Sequence, residues 1–281
     1  MKQSILIIPL ALLVLGTAAC GNSSSTNDSS SSKASSSKVV KKATKKHKSQ
    51  KTAQSATTSK AAASSSSTSS SPATASSKPV DRLTQVKQAV QAKLPGAKFP
   101  SSYTAAAGKS LNVQAIGNSQ NYGLYLSEGR ALPFNDASLD GLIAPVAIKK
   151  TTYTTPAAAE AQINYRAVQA GLPTVSVGDH LTATEEGAAG STYLTWAEGR
   201  WSLSLQSSTI NGEKPLPLAN QVTSLLSKEM LPVPAGHGAI SLTTTTTNTR
   251  NNSVSWREGN ALYTVSSTDP LKALQTAIDL K

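Results

Sequence analysis

The chain has 281 residues, with 27 Lys and Arg against 15 Asp and Glu, a net charge of +12, 4% aromatic residues and one cysteine. A single cysteine excludes an intramolecular disulfide, so any folded part must be stabilised by its apolar core. A strongly basic balance suits nucleic acid or an anionic surface, and the position of the charge along the chain separates the two.

At the N-terminus Lys2 precedes an apolar run over residues 5–15. A membrane-spanning helix needs about 20 apolar residues, so this run reads as a secretion signal and not as a transmembrane segment. Gly16, Thr17, Ala18 and Ala19 then place small residues before Cys20. The arrangement resembles the lipobox of bacterial lipoproteins, with Thr17 standing where the pattern prefers Leu. The resemblance implies removal of a signal peptide over 1–19 and a Cys20 thiol joined to diacylglycerol with palmitate-type chains. Two chains hold a protein at a bilayer stably where one, at about 0.8 kcal/mol per buried methylene, holds it marginally. A plain secretion signal of the A-x-A type would instead leave the thiol free, a liability in an oxidising compartment.

Residues 20–79, from the candidate lipidated Cys20 to Pro79, are almost wholly Ser, Thr, Ala and Lys, with no aromatic residue and only Val39 and Val40 as larger aliphatics. That composition cannot bury enough surface to offset the entropy of ordering, and it predicts a disordered tether. Ten lysines against Asp28 give this stretch +9, while sixteen cations and fourteen acids leave residues 80–281 at +2. The basic charge therefore sits in a tail without stacking aromatics and not on a folded face, which argues against nucleic acid. Lys41, Lys42, Lys45, Lys46 and Lys48 suit anionic wall polymer or lipid headgroups through screened attraction. The same cluster serves equally as a self-repelling, solubilising spacer. As a flexible coil the tether spans about 40 Å root mean square, and about 200 Å when extended.

The remaining 80–281 has the length of one large extracellular domain or two small ones. Val80, Leu83, Val86, Val90 and Leu94 recur at helical spacing, predicting a helix over 81–94 with Asp81 as cap and Pro95-Gly96 as stop. Alternation over 111–116 and 122–127, with a turn cluster at 117–121, predicts a hairpin. A third strand is expected around 143–154, after a loop holding Pro133, Asn135 and Asp136. The Ala-rich stretch 156–170 reads as a helix capped by Thr155, opened by Pro156 and ended by Gly171-Leu172-Pro173.

The second half contains an echo. Residues 195–205 (TWAEGRWSLSL) are matched by 255–265 (SWREGNALYTV), each an alternating strand, a Glu-Gly turn and a second alternating strand. Helical stretches at 216–230 and 270–280 follow the two copies, and Leu124 to Arg130 reads as a worn third copy. Glycine after the Glu can take a positive φ in the turn. The expected fold class is α+β: a mainly antiparallel sheet of repeated β-hairpin-plus-helix units with helices packed on it. Trp196, Trp201 and Trp256 then have two readings, an aromatic platform in contact with a ligand or anchors of a core with few other aromatics.

The Trp-x-Glu-Gly hairpin, the Phe134-Asn135-Asp136 loop and the closing residues 256–280 resemble an uncharacterised family of wall-associated lipoproteins from Gram-positive, lactic-acid-type bacteria. The closing segment also resembles the strand-strand-helix ending of extracellular domains on anti-sigma factors and sporulation lipoproteins. The resemblance implies a location, the outer face of the cytoplasmic membrane with the domain extending into the cell wall, and a fold type. It carries no substrate.

Catalytic patterns are thin. His47 lies in the tether, His180 beside Asp179 and His237 between glycines. There is no G-x-S-x-G elbow, no H-E-x-x-H and no cluster of Cys and His. The expectation is a non-enzymatic binding or interaction module of the cell envelope, with no cofactor, no metal and no nucleic acid. The alternatives are a carrier or chaperone for an apolar ligand, held where the sheet meets its helices, and a hydrolase in which His180 or His237 meets a serine and a carboxylate.

Overall fold

The computed structural model describes residues 80–280. The signal peptide, Cys20 and the lysine cluster expected over 1–79 lie outside the described residues.

The first helix, α1 (Arg82–Lys93), begins where Asp81 accepts hydrogen bonds from the N–H groups of Leu83 and Thr84. Val86 and Val90, one helical turn apart, are buried against the sheet. Arg82 fastens this helix to the first strand, donating to the carbonyls of Leu111 (2.8 Å) and Leu132 (2.6 Å) and to Asn112 Oδ1 (3.1 Å). Strands β1 (Ser110–Gly117), β2 (Tyr122–Gly129) and β3 (Val146–Thr152) form an antiparallel meander.

A short helix, α2 (Pro156–Glu160), precedes β4 (Thr174–Val177), β5 (Leu181–Ala188), β6 (Ser191–Glu198) and β7 (Trp201–Ser208), a second antiparallel meander. Helix α3 (Leu216–Leu226) crosses over to β8 (Gly238–Thr243), which pairs in parallel with β7. Strands β9 (Asn252–Glu258) and β10 (Ala261–Ser267) and helix α4 (Pro270–Ile278) complete the described chain.

The ten strands make one sheet in the order β1-β2-β3-β10-β9-β8-β7-β6-β5-β4, so β10 joins the first meander to the rest. The fold is thus a mixed α+β architecture, a large and mostly antiparallel sheet with four helices.

Register places the apolar residues on one face. Val113, Leu126, Val146, Val265, Val254, Ile240, Leu203 and Trp196 project from successive strands into the core shared with α1, α3 and α4. The alternate positions are mostly Ser and Thr, such as Ser202, Ser204, Ser241, Ser253 and Thr264, which is the inside-outside alternation of an antiparallel sheet covered mainly on one side. Helix α2 lies on that second face. Its Glu160 accepts from Arg257 Nε at 2.7 Å, and Arg257 points away from its inward neighbour Trp256.

Three expectations are corrected. The helix read over 156–170 stops at Glu160; Thr155 and Pro156 cap it as expected, but Ile163 and Val168 do not recur on one helical face, so packing does not reward its continuation. The chain instead runs over the Ser/Thr face, where the Arg166 N–H donates to Ser202 Oγ at 3.0 Å. The third strand begins at Val146 and not at Ile143, because Pro145 has no N–H to give to a ladder. Finally, Leu124 to Arg130 is not a hairpin: Glu128-Gly129 ends β2, which pairs with β1 and β3.

The exposed edge of β1 is covered by the Phe134-Asn135-Asp136 loop. The Asn135 side chain accepts from the Ala115 N–H at 2.6 Å and donates to the Ala115 carbonyl at 3.2 Å, imitating a neighbouring strand. Its backbone φ of 56° is one that asparagine tolerates better than most residues.

Candidate functional site

The tryptophans are buried in the core toward the end of the sheet where the Glu-Gly turns lie. Trp201, Gly238, Trp256, Tyr263, Lys150 and Tyr122 fall on one row across β7, β8, β9, β10, β3 and β2. Trp256 stacks on Tyr263 with ring centroids 5.5 Å apart and meets Trp201 at 6.4 Å. Gly238 makes this possible, since an added Cβ would collide with the Trp201 indole lying over it. At 1%, 7% and 0% exposure respectively, Trp196, Trp201 and Trp256 offer no open platform to a ligand. Their burial follows from register, which points all three inward. Only the edge of Trp201 reaches a surface hollow.

Both Trp-x-Glu-Gly turns have the same local geometry. Trp196 Nε1 donates to Glu198 Oε1 at 2.9 Å, and Trp256 Nε1 to Glu258 Oε1 at 3.0 Å. Each turn has two central residues, the first a glycine with φ near 60°, which is the requirement of a type II′ hairpin. The indole N–H of a buried tryptophan needs an acceptor, and the glutamate two residues on supplies it at the sheet's rim.

A larger concavity than the hollow at Trp201 lies elsewhere among the described residues. A groove of about 900 Å³ runs between α3, α4 and the segment leading into β3. Leu142, Ile143, Val146, Leu225 and Leu271 give it aliphatic walls, and Leu142 and Ile143 are exposed.

One end of this groove is built from polar groups that satisfy one another. Tyr103 Oη donates to Glu128 Oε1 at 2.9 Å, and the Ala106 N–H donates to Glu128 Oε2 at 2.8 Å. Lys272 Nζ lies 3.7 Å from Glu128 and 3.9 Å from the Tyr103 ring centroid, and donates to the Thr104 carbonyl at 2.7 Å. Burial alone would raise the Glu128 carboxyl, but the Ala106 N–H, the Tyr103 hydroxyl and the nearby lysines together hold it below its ordinary value. Burial, with Glu128 beside it, pushes the Tyr103 phenol upward. The end of the groove is therefore a charged, ordered wall, and along its length the aliphatic residues alternate with polar ones such as Gln221, Thr268 and Gln275.

Residues offered as hydrolase candidates are placed differently from a triad. His180 shares a hollow with Asp179, Ser224 and Ser227 between the β4–β5 turn and α3, yet Ser227 Oγ donates to the Ser224 carbonyl at 3.0 Å and, among the described residues, no hydrogen bond joins the His180 ring to either serine or to Asp179. His237 Nδ1 lies 3.5 Å from Glu160 Oε1, and its ring packs on Tyr165 at 4.3 Å. Glu160 is shared with Arg257 and the His237 N–H; burial opposes its charge, but these donors hold it below its ordinary value. Its bonds tie α2 to β9. Among the described residues no group of three His, Cys, Asp or Glu is placed to hold a metal ion.

A second, polar hollow of about 370 Å³ lies on the Ser/Thr face, lined by Asn164, Arg166, Tyr193, Ser204 and Gln206 among others. The groove residues were not singled out from sequence: Leu142-Ile143 is an apolar pair before Pro145, the signature of a strand start, and only α3 and α4 facing it make it one side of a groove. No family model, no curated protein and no solved structure matches this chain.

Proposed function

We propose that this chain is a lipid-anchored extracellular lipoprotein, held by Cys20 at the outer face of the cytoplasmic membrane, whose domain is a non-enzymatic binding module for an aliphatic ligand. The observation that carries the binding part is the 900 Å³ groove, whose size lies within the range of small-molecule sites. Its apolar surface comes from branched aliphatic side chains set among polar ones such as Gln221, Thr268 and Gln275, with Tyr103 as the one aromatic, so a flexible acyl chain with a polar end matches it better than a planar ring. Burying Leu142 and Ile143 under such a chain is favourable at about 25 cal/mol per Å².

The anchor rests on the short apolar run, the small residues and the single cysteine at position 20. Lys41, Lys42, Lys45, Lys46 and Lys48 would lie against anionic headgroups or wall polymer. The likeness to wall-associated lipoproteins agrees with this placement. The two hairpins β6–β7 and β9–β10, each followed by a helix, read as related units on their shared Trp-to-Glu bond.

Titration of the purified Cys20→Ala chain with a fluorescent sixteen-carbon fatty acid tests the ligand. Saturable enhancement, lost in the Leu142→Asp/Ile143→Asp double variant, is expected; absence of saturation, or indifference to the double variant, overturns it. The anchor is tested apart from the ligand, since Cys20→Ala should abolish fatty-acid labelling in cells and release the protein from the membrane fraction.

A second reading, binding of wall polymer, is favoured by the polar hollow around Arg166 and Tyr193. It requires retention of the protein on purified wall and loss of that retention in Arg166→Ala.

A further inference from the structure

Glu258 and Glu198 start from the same Trp-x-Glu-Gly turn and differ in one partner. Glu258 Oε1 receives, besides the Trp256 indole, the ammonium of Lys98 at 2.7 Å. That ammonium also lies 5.2 Å from the Tyr263 ring centroid, so the second hairpin holds a lysine between a carboxylate and an aromatic face.

Glu198 receives the Trp196 indole and, among the described residues, forms no ion pair. It opens onto a hollow of about 400 Å³ whose wall includes Trp201, with Leu226, Met230, Leu231 and Val233 as an aliphatic lip. Met230 and Val233 are 70% and 73% exposed. Burial raises the Glu198 carboxyl above its ordinary value despite the Trp196 bond that opposes it, which marks a carboxylate short of a counter-charge.

The lip is fastened in place. Arg200 Nη1 donates to the Pro234 carbonyl at 3.0 Å, the Ala235 N–H to the Arg257 carbonyl at 2.9 Å and the Gly238 N–H to the Arg200 carbonyl at 3.0 Å. These bonds leave the Arg200 guanidinium turned to the lip and not paired with Glu198. Glu229, at the same hollow, adds a second acid.

We infer that the hollow beside Glu198 is a docking site for a lysine side chain of a protein partner, its ammonium on Glu198 and its methylenes along Trp201 and the Met230–Val233 lip. Three observations select this occupant. The twin turn already holds a lysine in the corresponding place. The charge is complementary. The lining combines apolar residues with two acids, Glu198 and Glu229, against one cation, Arg200, whose guanidinium is engaged by the Pro234 carbonyl, as an aliphatic stem with a charged tip requires. The exposed Met230 and Val233 extend beyond one side chain, which suits a peptide and not a free amine. The inference stands independently of the acyl-chain groove, which lies across α3 and α4 and uses none of these residues.

The indole N–H signals of the ¹⁵N-labelled full chain provide the test, because Trp196 Nε1–H is bonded to Glu198 while Trp256 Nε1–H is bonded to Glu258 and acts as an internal control. The probe is the peptide amide Ac-Gly-Ala-Lys-Ala-Gly-NH2, with its Nε-acetyl-lysine and arginine counterparts. The expected result is a saturable shift of the Trp196 signal with the Trp256 signal still, and binding weaker by about tenfold or more for the Nε-acetyl peptide, the loss of one charge-assisted hydrogen bond. Glu198→Gln keeps an acceptor for the Trp196 indole, so its Trp256 signal should be unmoved while binding falls by a similar factor. No saturable Trp196 shift, equal binding by the acetylated or arginine peptide, or undiminished binding by folded Glu198→Gln would each overturn the assignment.

Discussion

The β6–β7 and β9–β10 hairpins share a turn, a glycine conformation and a tryptophan-to-glutamate bond, yet they occupy different surroundings. The β9–β10 turn is roofed by the segment after α1, where Lys98 pairs with Glu258 and its N–H donates to Tyr122 Oη at 2.9 Å. Burial of that phenol, outweighing the Lys98 N–H bond, pushes the Tyr122 hydroxyl up to about 12. Among the described residues the β6–β7 turn has the end of α3 and the Pro-rich connection from α3 to β8 beside it, and a hollow remains. One local motif therefore serves as a closed structural joint in one place and an open one in the other, because a turn specifies its own hydrogen bonds but not what covers it.

The largest expected effect that sharpens this comparison is in the core. Trp256→Ala should cost about 3–5 kcal/mol in urea unfolding, since it removes a ring that meets both Trp201 and Tyr263. Trp201→Ala should cost less, because its edge already borders a hollow; equal losses would mean that the two hairpins are covered alike. Next comes Gly238→Ala, whose new Cβ would press on the Trp201 ring and should destabilise the fold by about 1–3 kcal/mol, with a change in tryptophan emission.

Lys98→Met comes third. The pair it breaks is partly exposed, so an unfolding cost of about 1 kcal/mol or less is expected, falling in high salt. The smallest effect has the opposite sign. Folding raises the Glu198 carboxyl above its unfolded value, so ionising it opposes the folded state, and stability is lost as pH rises from the unfolded value near 4.5 through the higher folded one. Glu198→Gln removes that loss. The variant should gain on the parent in thermal melts as pH increases across this window, and a gain that grew instead toward low pH would contradict the raised carboxyl.

Much of the fold was legible because local rules and global packing agree in it. Asp81 caps α1, alternation marks β1 and β2, and the paired Glu-Gly turns sit where glycine is needed. Legibility failed where a segment's partner is distant in sequence. The Ala-rich stretch after Pro156 has helical composition, but its backbone bonds to Ser202, which no window around residue 166 contains. The strand over 174–177 alternates as Thr-Val-Ser-Val but is only four residues long, and the parallel pairing of β7 with β8 leaves no trace in either strand's own pattern. The candidate groove was invisible for the same reason, as Leu142 and Ile143 face Leu225 and Leu271 only once the sheet has brought α3 and α4 beside them.

Composition and pattern alone divide the chain at about residue 80, place nearly all of its net charge before that point, and set its three tryptophans in the Glu-Gly hairpins. Those properties depend on side-chain chemistry and spacing, which are written locally. Whether each tryptophan is a platform or a core anchor, and whether each turn glutamate has a cation, depended on register across ten strands and on which loop lies over which turn. Such contacts are long-range, and a linear pattern records the groups that make them but not the geometry that joins Lys98 to Glu258 and leaves Glu198 beside an open hollow.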